Sequence, residues 1–278
     1  MSTSSAARSL RVMPMGDSIT AGDQVPGGYR APLRDRITGQ GWSVDFVGSQ
    51  RQPGDTSSDQ DHWGRPGWGI TDTDAVIDGR RYVSLQANEG PQGARRPGLW
   101  ADLEAAISPR YFSTSPGVDN LLLLMMGTND VLHQVVERRD GARPAGDRGN
   151  NGRGEQQNRI GEATIDRLKA FLNRVDRLAG RAELKLKVVL GTIPRFNNYW
   201  NASRLKDPIS SVMQQEAVEV NQWIRERSGA MALRNITITP VDQRAAVGSS
   251  LIDGLHPDAT GYRRMADTWW EGIQDALA

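Results

Sequence analysis

The sequence predicts an α/β domain with about five parallel strands and helices on both faces of the sheet. Three observations carry that expectation. Short runs rich in Val, Ile and Leu alternate with amphipathic helical stripes. Such runs fit strands buried on both faces of a parallel sheet, and Leu121–Met126 is apolar throughout. Most of them are closed by Gly or Pro, which end a strand and open a turn.

The elements follow in chain order. Leu10–Met15 reads as the first strand, and Tyr29, Leu33 and Ile37 recur four apart as the face of a helix. Val44–Val47 is the second strand. Leu121–Met126, the longest uninterrupted apolar run, is strand-sized rather than membrane-sized. Ile165, Leu168, Phe171, Leu172, Val175 and Leu178 form a continuous helical stripe, followed by the strand Leu186–Leu190. A further stripe of Met213, Ala217, Val220 and Ile224 precedes the strand Ile236–Val241. Tyr262, Met265, Trp269 and Ile273 make the last helix, with Trp269 on its core face. Residues 1–278 read as one domain interrupted by two irregular insertions, at about 78–98 and 133–159. The second is rich in Gly, Arg and Asn. It reads either as a surface loop or as a lid or substrate-binding arm.

Composition narrows the chemistry. A chain of 278 residues buries enough surface to fold without staples. The absence of cysteine excludes a disulfide framework, a thiol nucleophile and a Cys-ligated zinc site. A formal net charge of +1 gives no reason to expect nucleic acid or an acidic membrane as partner. No run of roughly 20 apolar residues is present, so no membrane span is expected. MSTSSAARSL contains no apolar leader core, which leaves localisation open between a secreted mature form and a cytoplasmic protein. A monomer is the simplest expectation. An imidazole-dependent mechanism must choose among His62, His133 and His256.

Three short motifs sit where a doubly wound sheet collects its ligands, just beyond strand carboxyl ends or in the last loop. Gly16-Asp17-Ser18-Ile19-Thr20 follows the first strand. Its serine would be exposed on a tight strand-to-helix turn, although Asp17 or Ser18 could equally be a helix cap. Gly127-Thr128-Asn129-Asp130 follows the strand 121–126, where an asparagine amide can donate to a developing oxyanion or simply shape a turn. Asp253-Gly254-Leu255-His256-Pro257 puts a carboxylate three residues before an imidazole. One turn could present both, as the base and its orienting group. Together the motifs hold a nucleophile, a base, an orienting acid and an oxyanion donor, the inventory for acyl transfer.

In order and separation these blocks resemble those of the SGNH/GDSL hydrolase family. His62-Trp63-Gly64-Arg65-Pro66-Gly67-Trp68, Gly27-Gly28-Tyr29-Arg30 with Pro32 and Leu33, and Asp45-Phe46-Val47-Gly48-Ser49 are similar to segments of one subgroup, carbohydrate esterase family 3, the acetylxylan-esterase-like enzymes. The likeness covers most of the chain. It departs in the two insertions and at Pro66, where the subgroup often has a small polar residue. The resemblance implies a flavodoxin-like three-layer fold, with Ser18 as nucleophile, His256 as base and Asp253 as its orienter. It also implies an oxyanion hole from the Ser18 and Gly67 amides and the Asn129 side chain. No cofactor and no catalytic metal are implied, while a structural calcium is allowed.

Around these residues, Asp17, His62, Trp63, Trp68, Tyr199 and Trp200 are candidate substrate contacts, each with an ordinary packing or hydrogen-bonding reading beside it. Asp130 reads as loop support and His133 as a rim residue. The arginines between 138 and 159 read as a solvated loop, and Asn201-Ala202-Ser203 as a common chance match to a glycosylation acceptor. The expected activity is a serine esterase for short acyl esters, O-acetyl groups on a small-molecule or polysaccharide carbohydrate. The rivals are a lipase or arylesterase, an acyltransferase using the same triad, and a non-catalytic carbohydrate-binding module.

Overall fold

The computed structural model describes residues 8–52, 54–71, 74–77, 80–83, 98–132, 160–195 and 208–278. The five strands expected from the sequence all form: β1 (Ser9–Gly16), β2 (Ser43–Phe46), β6 (Val118–Met125), β7 (Leu186–Gly191) and β8 (Ile236–Val241). They pair in parallel in the order β2-β1-β6-β7-β8. Numbered by appearance, that is the 2-1-3-4-5 order of flavodoxin-like sheets. The chain winds one way from β1 to β2 and the other way from β6 onward. The switch point, where such sheets bind ligands, therefore lies between the carboxyl ends of β1 and β6. A two-residue strand, β3 (Trp63–Gly64), extends the pairing along the end of β1 at Met15 and Gly16.

Alternate residues of the central strand feed two cores. Leu122 and Leu124 of β6, with Met13, Met15, Val188 and Leu190, pack against Leu99 and Leu103 of α3 (Leu99–Ala106). The same face carries the apolar stripes of α4 (Ile160–Arg181) and α5 (Pro208–Arg227). Leu121, Leu123 and Met125 point the other way. There they meet Leu33 and Ile37 of α2 (Arg30–Gly39) and Tyr262, Met265, Trp269 and Ile273 of α7 (Ala259–Leu277). Each helical stripe expected from the sequence is thus the buried face of a real helix.

Two features differ from expectation. The insertion placed at 78–98 is not irregular at its start: β4 (Asp74–Ile77) and β5 (Arg80–Val83) pair antiparallel. The residues between them are Asp78 and Gly79, the dipeptide that favours a two-residue hairpin. Residues 84–97 and the expected loop 133–159, with His133, lie outside the described residues, as do Tyr199, Trp200 and Asn201-Ala202-Ser203. No helix among the described residues is long and apolar enough to cross a membrane.

Candidate active site

The turn that carries Ser18 is built by steric exclusion. A Cβ on Gly16 would stand 2.2 Å from the Thr20 hydroxyl and 2.6 Å from the Met125 carbonyl, so only glycine lets β1 pass directly into α1 (Ser18–Ala21). Asp17 caps that short helix, its Oδ1 accepting the Ile19 amide at 3.0 Å. Ser18 is therefore the first helical residue, and its own N–H has no intrahelical acceptor. The turn is held from behind. Buried Arg30 donates to the Thr20 and Ala21 carbonyls at 2.7 and 3.1 Å and pairs with buried Asp55 at 3.0 Å. The Tyr262 hydroxyl donates to the Ile19 carbonyl at 3.1 Å.

The second half of the site comes from the far end of the chain. The loop between α6 (Gln243–Val247) and α7 is closed as a small ribbon by a bridge between Leu251 and Pro257. The Ile252 amide donates to the His256 carbonyl at 2.9 Å across it. Gly254 takes φ +85, a left-handed turn that lets Asp253 curl back beneath His256. Asp253 Oδ1 accepts the Leu255 and His256 amides at 3.0 and 2.8 Å, while Oδ2 lies 2.7 Å from His256 Nδ1. His256 Nε2 lies 2.9 Å from Ser18 Oγ. Residues 238 apart in sequence thus form one continuous hydrogen-bonded chain. Burial alone would raise the Asp253 carboxyl. The bonds from the His256 ring and the two amides outweigh it and hold the group below its usual range.

The loop carrying Gly67 is clamped between the other two motifs. The Arg65 amide donates to the Gly16 carbonyl at 2.8 Å, and the Trp68 amide closes a turn onto the Arg65 carbonyl at 3.1 Å. Gly67 has φ +75 at the third position of that turn. A turn of this kind takes proline at its second position, so Pro66 fits the loop rather than distorting it. Asn129, reached from the end of β6 through Gly127 at φ +113, donates one amide hydrogen to the Trp68 carbonyl at 2.9 Å. The Gly67 N–H has no hydrogen-bond partner among the described residues.

Asp130 supports the loop as expected: its Oδ2 accepts the Ile70 amide at 3.0 Å and its Oδ1 pairs with buried Arg167 at 3.1 Å. Asp17 is fully buried beneath the site, so it supports the turn and offers no surface to a substrate. Burial pushes its carboxyl up to about 6, with the Ile19 amide and the Thr128 hydroxyl pulling the other way.

Besides Asp17, two more of the candidate substrate contacts, Trp63 and His62, are buried. Trp63 is a core anchor, because its ring packs edge-on against Tyr111 and its indole N–H is fixed by Asp102 at 2.8 Å. His62 is buried, and its Nδ1 accepts the Gly64 amide at 2.9 Å. Burial and the nearby Arg30 push its pKa down to about 3, so it stays neutral. Trp68 remains partly open, with the Arg65 guanidinium 4.9 Å from its ring centre.

Sequence reading passed over Asp23, whose amide donates to the Ser18 carbonyl at 3.0 Å. Burial first raises its carboxyl, and the charges of His256 and Asp253 also act on it. No group of three or more His, Asp or Glu side chains that could hold a metal ion converges among the described residues.

Fold and site together hold the groups that acyl transfer from an ester requires. The family model of GDSL-like Lipase/Acylhydrolase matches residues 12–269. The chain belongs to that family. It is 26% identical over 286 aligned residues to a protein described as a multidomain esterase from Ruminococcus flavefaciens. The alignment takes in 99% of this chain but spans only 30% of that relative's length. Among solved structures, a carbohydrate esterase family 3 protein from Talaromyces cellulolyticus superposes with a TM-score of 0.54 at 19% identity, over 97% of this chain and 98% of that one. An inhibitor-bound aryl esterase from M. smegmatis superposes at 0.56 with 14% identity, over 98% and 100% of the two chains.

Proposed function

We propose that the chain removes short acyl groups, O-acetyl groups on a carbohydrate, through an acyl-enzyme on Ser18. The observation that carries this reading is the unbroken chain from Ser18 Oγ through His256 to Asp253, at 2.9 and 2.7 Å. With its Nδ1–H donated to Asp253, the imidazole presents the bare Nε2 that accepts the serine proton. Ser18 Oγ attacks the ester carbonyl as that proton passes to Nε2. The negative charge on the carbonyl oxygen meets the Ser18 and Gly67 amides and the second hydrogen of the Asn129 amide. Collapse breaks the ester bond, and Nε2 returns its proton to the leaving alcohol. Water then attacks the acyl-serine. His256 takes the water's proton and gives it back to Ser18 Oγ as the acid leaves.

The carbohydrate half of the reading is supported by the family 3 neighbours, whose whole length the likeness covers. The M. smegmatis neighbour, an aryl esterase, favours a second reading in which the alcohol is aromatic. A nitrophenyl ester series from acetyl to dodecanoyl, with Ser18→Ala as control, tests the acyl side. Rates that peak at acetyl and vanish in the variant, followed by acetate release from acetylated xylan, are expected. A peak at long acyl chains would overturn the acetyl reading in favour of a lipase. Rapid cleavage of phenyl acetate with no acetate release from any saccharide would favour the aryl esterase.

A further inference from the structure

The carboxyl edge of the sheet is unevenly charged. Asp23 and Asp253 stand on the His256 side. Beyond β7 and β8, at the other end of the same edge, the charge reverses. Arg195, exposed, leaves the segment after β7, and Arg244 opens α6 just past β8. Arg244 is held at its backbone and at its guanidinium: its backbone amide donates to Thr192 Oγ1 at 2.9 Å and its Nη2 to Gln214 Oε1 at 2.8 Å. Its Nη1 is buried and has no hydrogen-bond partner among the described residues. Neither Arg195 nor Arg244 has an ion pair among the described residues. The carboxylate close by, Asp242, is already engaged by the Thr192 hydroxyl, the Ala245 amide and Arg225. Burial and the like charge of Arg195 depress the Arg244 pKa against the opposing pull of Asp242, with Arg225 adding to the depression. A half-buried guanidinium held by a neutral amide, beside the exposed Arg195 and with Asp242 as the carboxylate acting on it, leaves positive charge in excess and suits an anion.

We infer that Arg195 and Arg244 form a subsite for a carboxylate carried by the alcohol part of the ester, which makes an acidic saccharide, such as one containing a uronic acid, the favoured substrate. The inference rests on the carbohydrate reading above and deepens it. Three strand spacings separate the ends of β1 and β8, about 14 Å. The arginine side chain covers part of that gap, so the anion it takes belongs to a neighbouring sugar unit rather than to the acylated one. Asp23 and Asp253 reinforce the orientation by repelling a carboxylate from the opposite side.

Competitive inhibition of nitrophenyl acetate hydrolysis tests this without requiring that any saccharide be deacetylated. The inhibitors are an acidic oligosaccharide containing glucuronate and its neutral counterpart of the same length. The intact enzyme is expected to bind the acidic one about tenfold more tightly, the scale of one charge-assisted hydrogen bond. That preference should shrink in Arg244→Gln and in Arg195→Gln, and disappear in the double variant. Because each preference is a ratio within one variant, changes in overall turnover cancel. The exposed Arg195 keeps the test open should Arg244→Gln fold poorly. Equal inhibition by the two oligosaccharides in the intact enzyme, or a preference that survives the double variant, would overturn the subsite. Failure to release acetate from acetylated saccharides would instead overturn the carbohydrate reading, and is read separately.

Discussion

The two edges of the central sheet hold their polar groups in opposite ways. At the amino edge a cavity of about 710 Å³ opens between the starts of β6, β7 and β8. Its polar groups are spent on the fold. Asn120 accepts the Ser113 amide and donates to the Ser113 and Lys185 carbonyls. Asp176 takes the Arg234, Asn235 and Ile236 amides with one oxygen. At the carboxyl edge, buried atoms of Asp17, Thr20, His62, Thr128 and Arg244 make no well-formed hydrogen bond. Buried polar groups are normally satisfied, and exceptions mark places where stability has yielded to another demand. The amino-edge cavity is thus lined by groups already paired, whereas unspent hydrogen-bonding capacity gathers at the edge that carries Ser18 and His256.

The sharpest way to break that comparison is to delete one side chain at each edge. His256→Ala should lower kcat/KM for nitrophenyl acetate by on the order of 10⁴ or more while leaving Tm nearly unchanged. Asn120→Ala should do the reverse, costing about 1–3 kcal/mol in chemical denaturation with activity retained in the folded fraction. A large rate loss in Asn120→Ala would show that the edges are not separate. Asn129→Ala comes next, with kcat expected to fall about 10²–10³-fold. Part of that loss would reflect release of the Gly67 loop, since Asn129 also anchors the Trp68 carbonyl. Arg30→Met tests the clamp behind Ser18. Leaving Asp55 buried and unpaired should destabilise the protein by about 3–5 kcal/mol.

The sequence made the sheet and the hydrogen-bonded set of Ser18, His256 and Asp253 legible for one reason: both depend on residue types that local pattern reveals. Apolar runs gave the strands, and with only three histidines the Asp253–His256 spacing singled out the base. What stayed hidden depends on partners far along the chain. Trp63 reads in sequence as a candidate substrate contact or a packing residue, and nothing local shows that Asp102, 39 residues on, holds its indole N–H. Arg30 and Asp55 look like surface charges in sequence, because nothing local says that they bury each other. Asp23 has no motif of its own and gains interest only from the imidazole folded against it. Asp78-Gly79 was a readable hairpin signal that the polar composition around it obscured.

Asp17 offers the finest test of whether the carboxyl edge gives up stability. Its carboxyl titrates at about 6 in the folded protein against an ordinary value of 3.8, and burial is the main cause. The folded state therefore holds that proton more tightly than the unfolded chain does. Below about pH 4 both states are protonated, and the group's contribution is at its most favourable. As pH rises through about 6 the contribution is lost, because a charge must then be kept in a dry site. Two pKa units correspond to about 3 kcal/mol, an upper limit for a group this buried. Asp17→Asn keeps an oxygen to cap Ile19 but cannot ionise. It should match the parent protein in chemical denaturation near pH 4 and exceed it by up to about 3 kcal/mol at pH 8. If the two proteins differ equally at both pH values, the Asp17 charge is not what strains this edge, and the cause must be sought in the lost contact to Thr128.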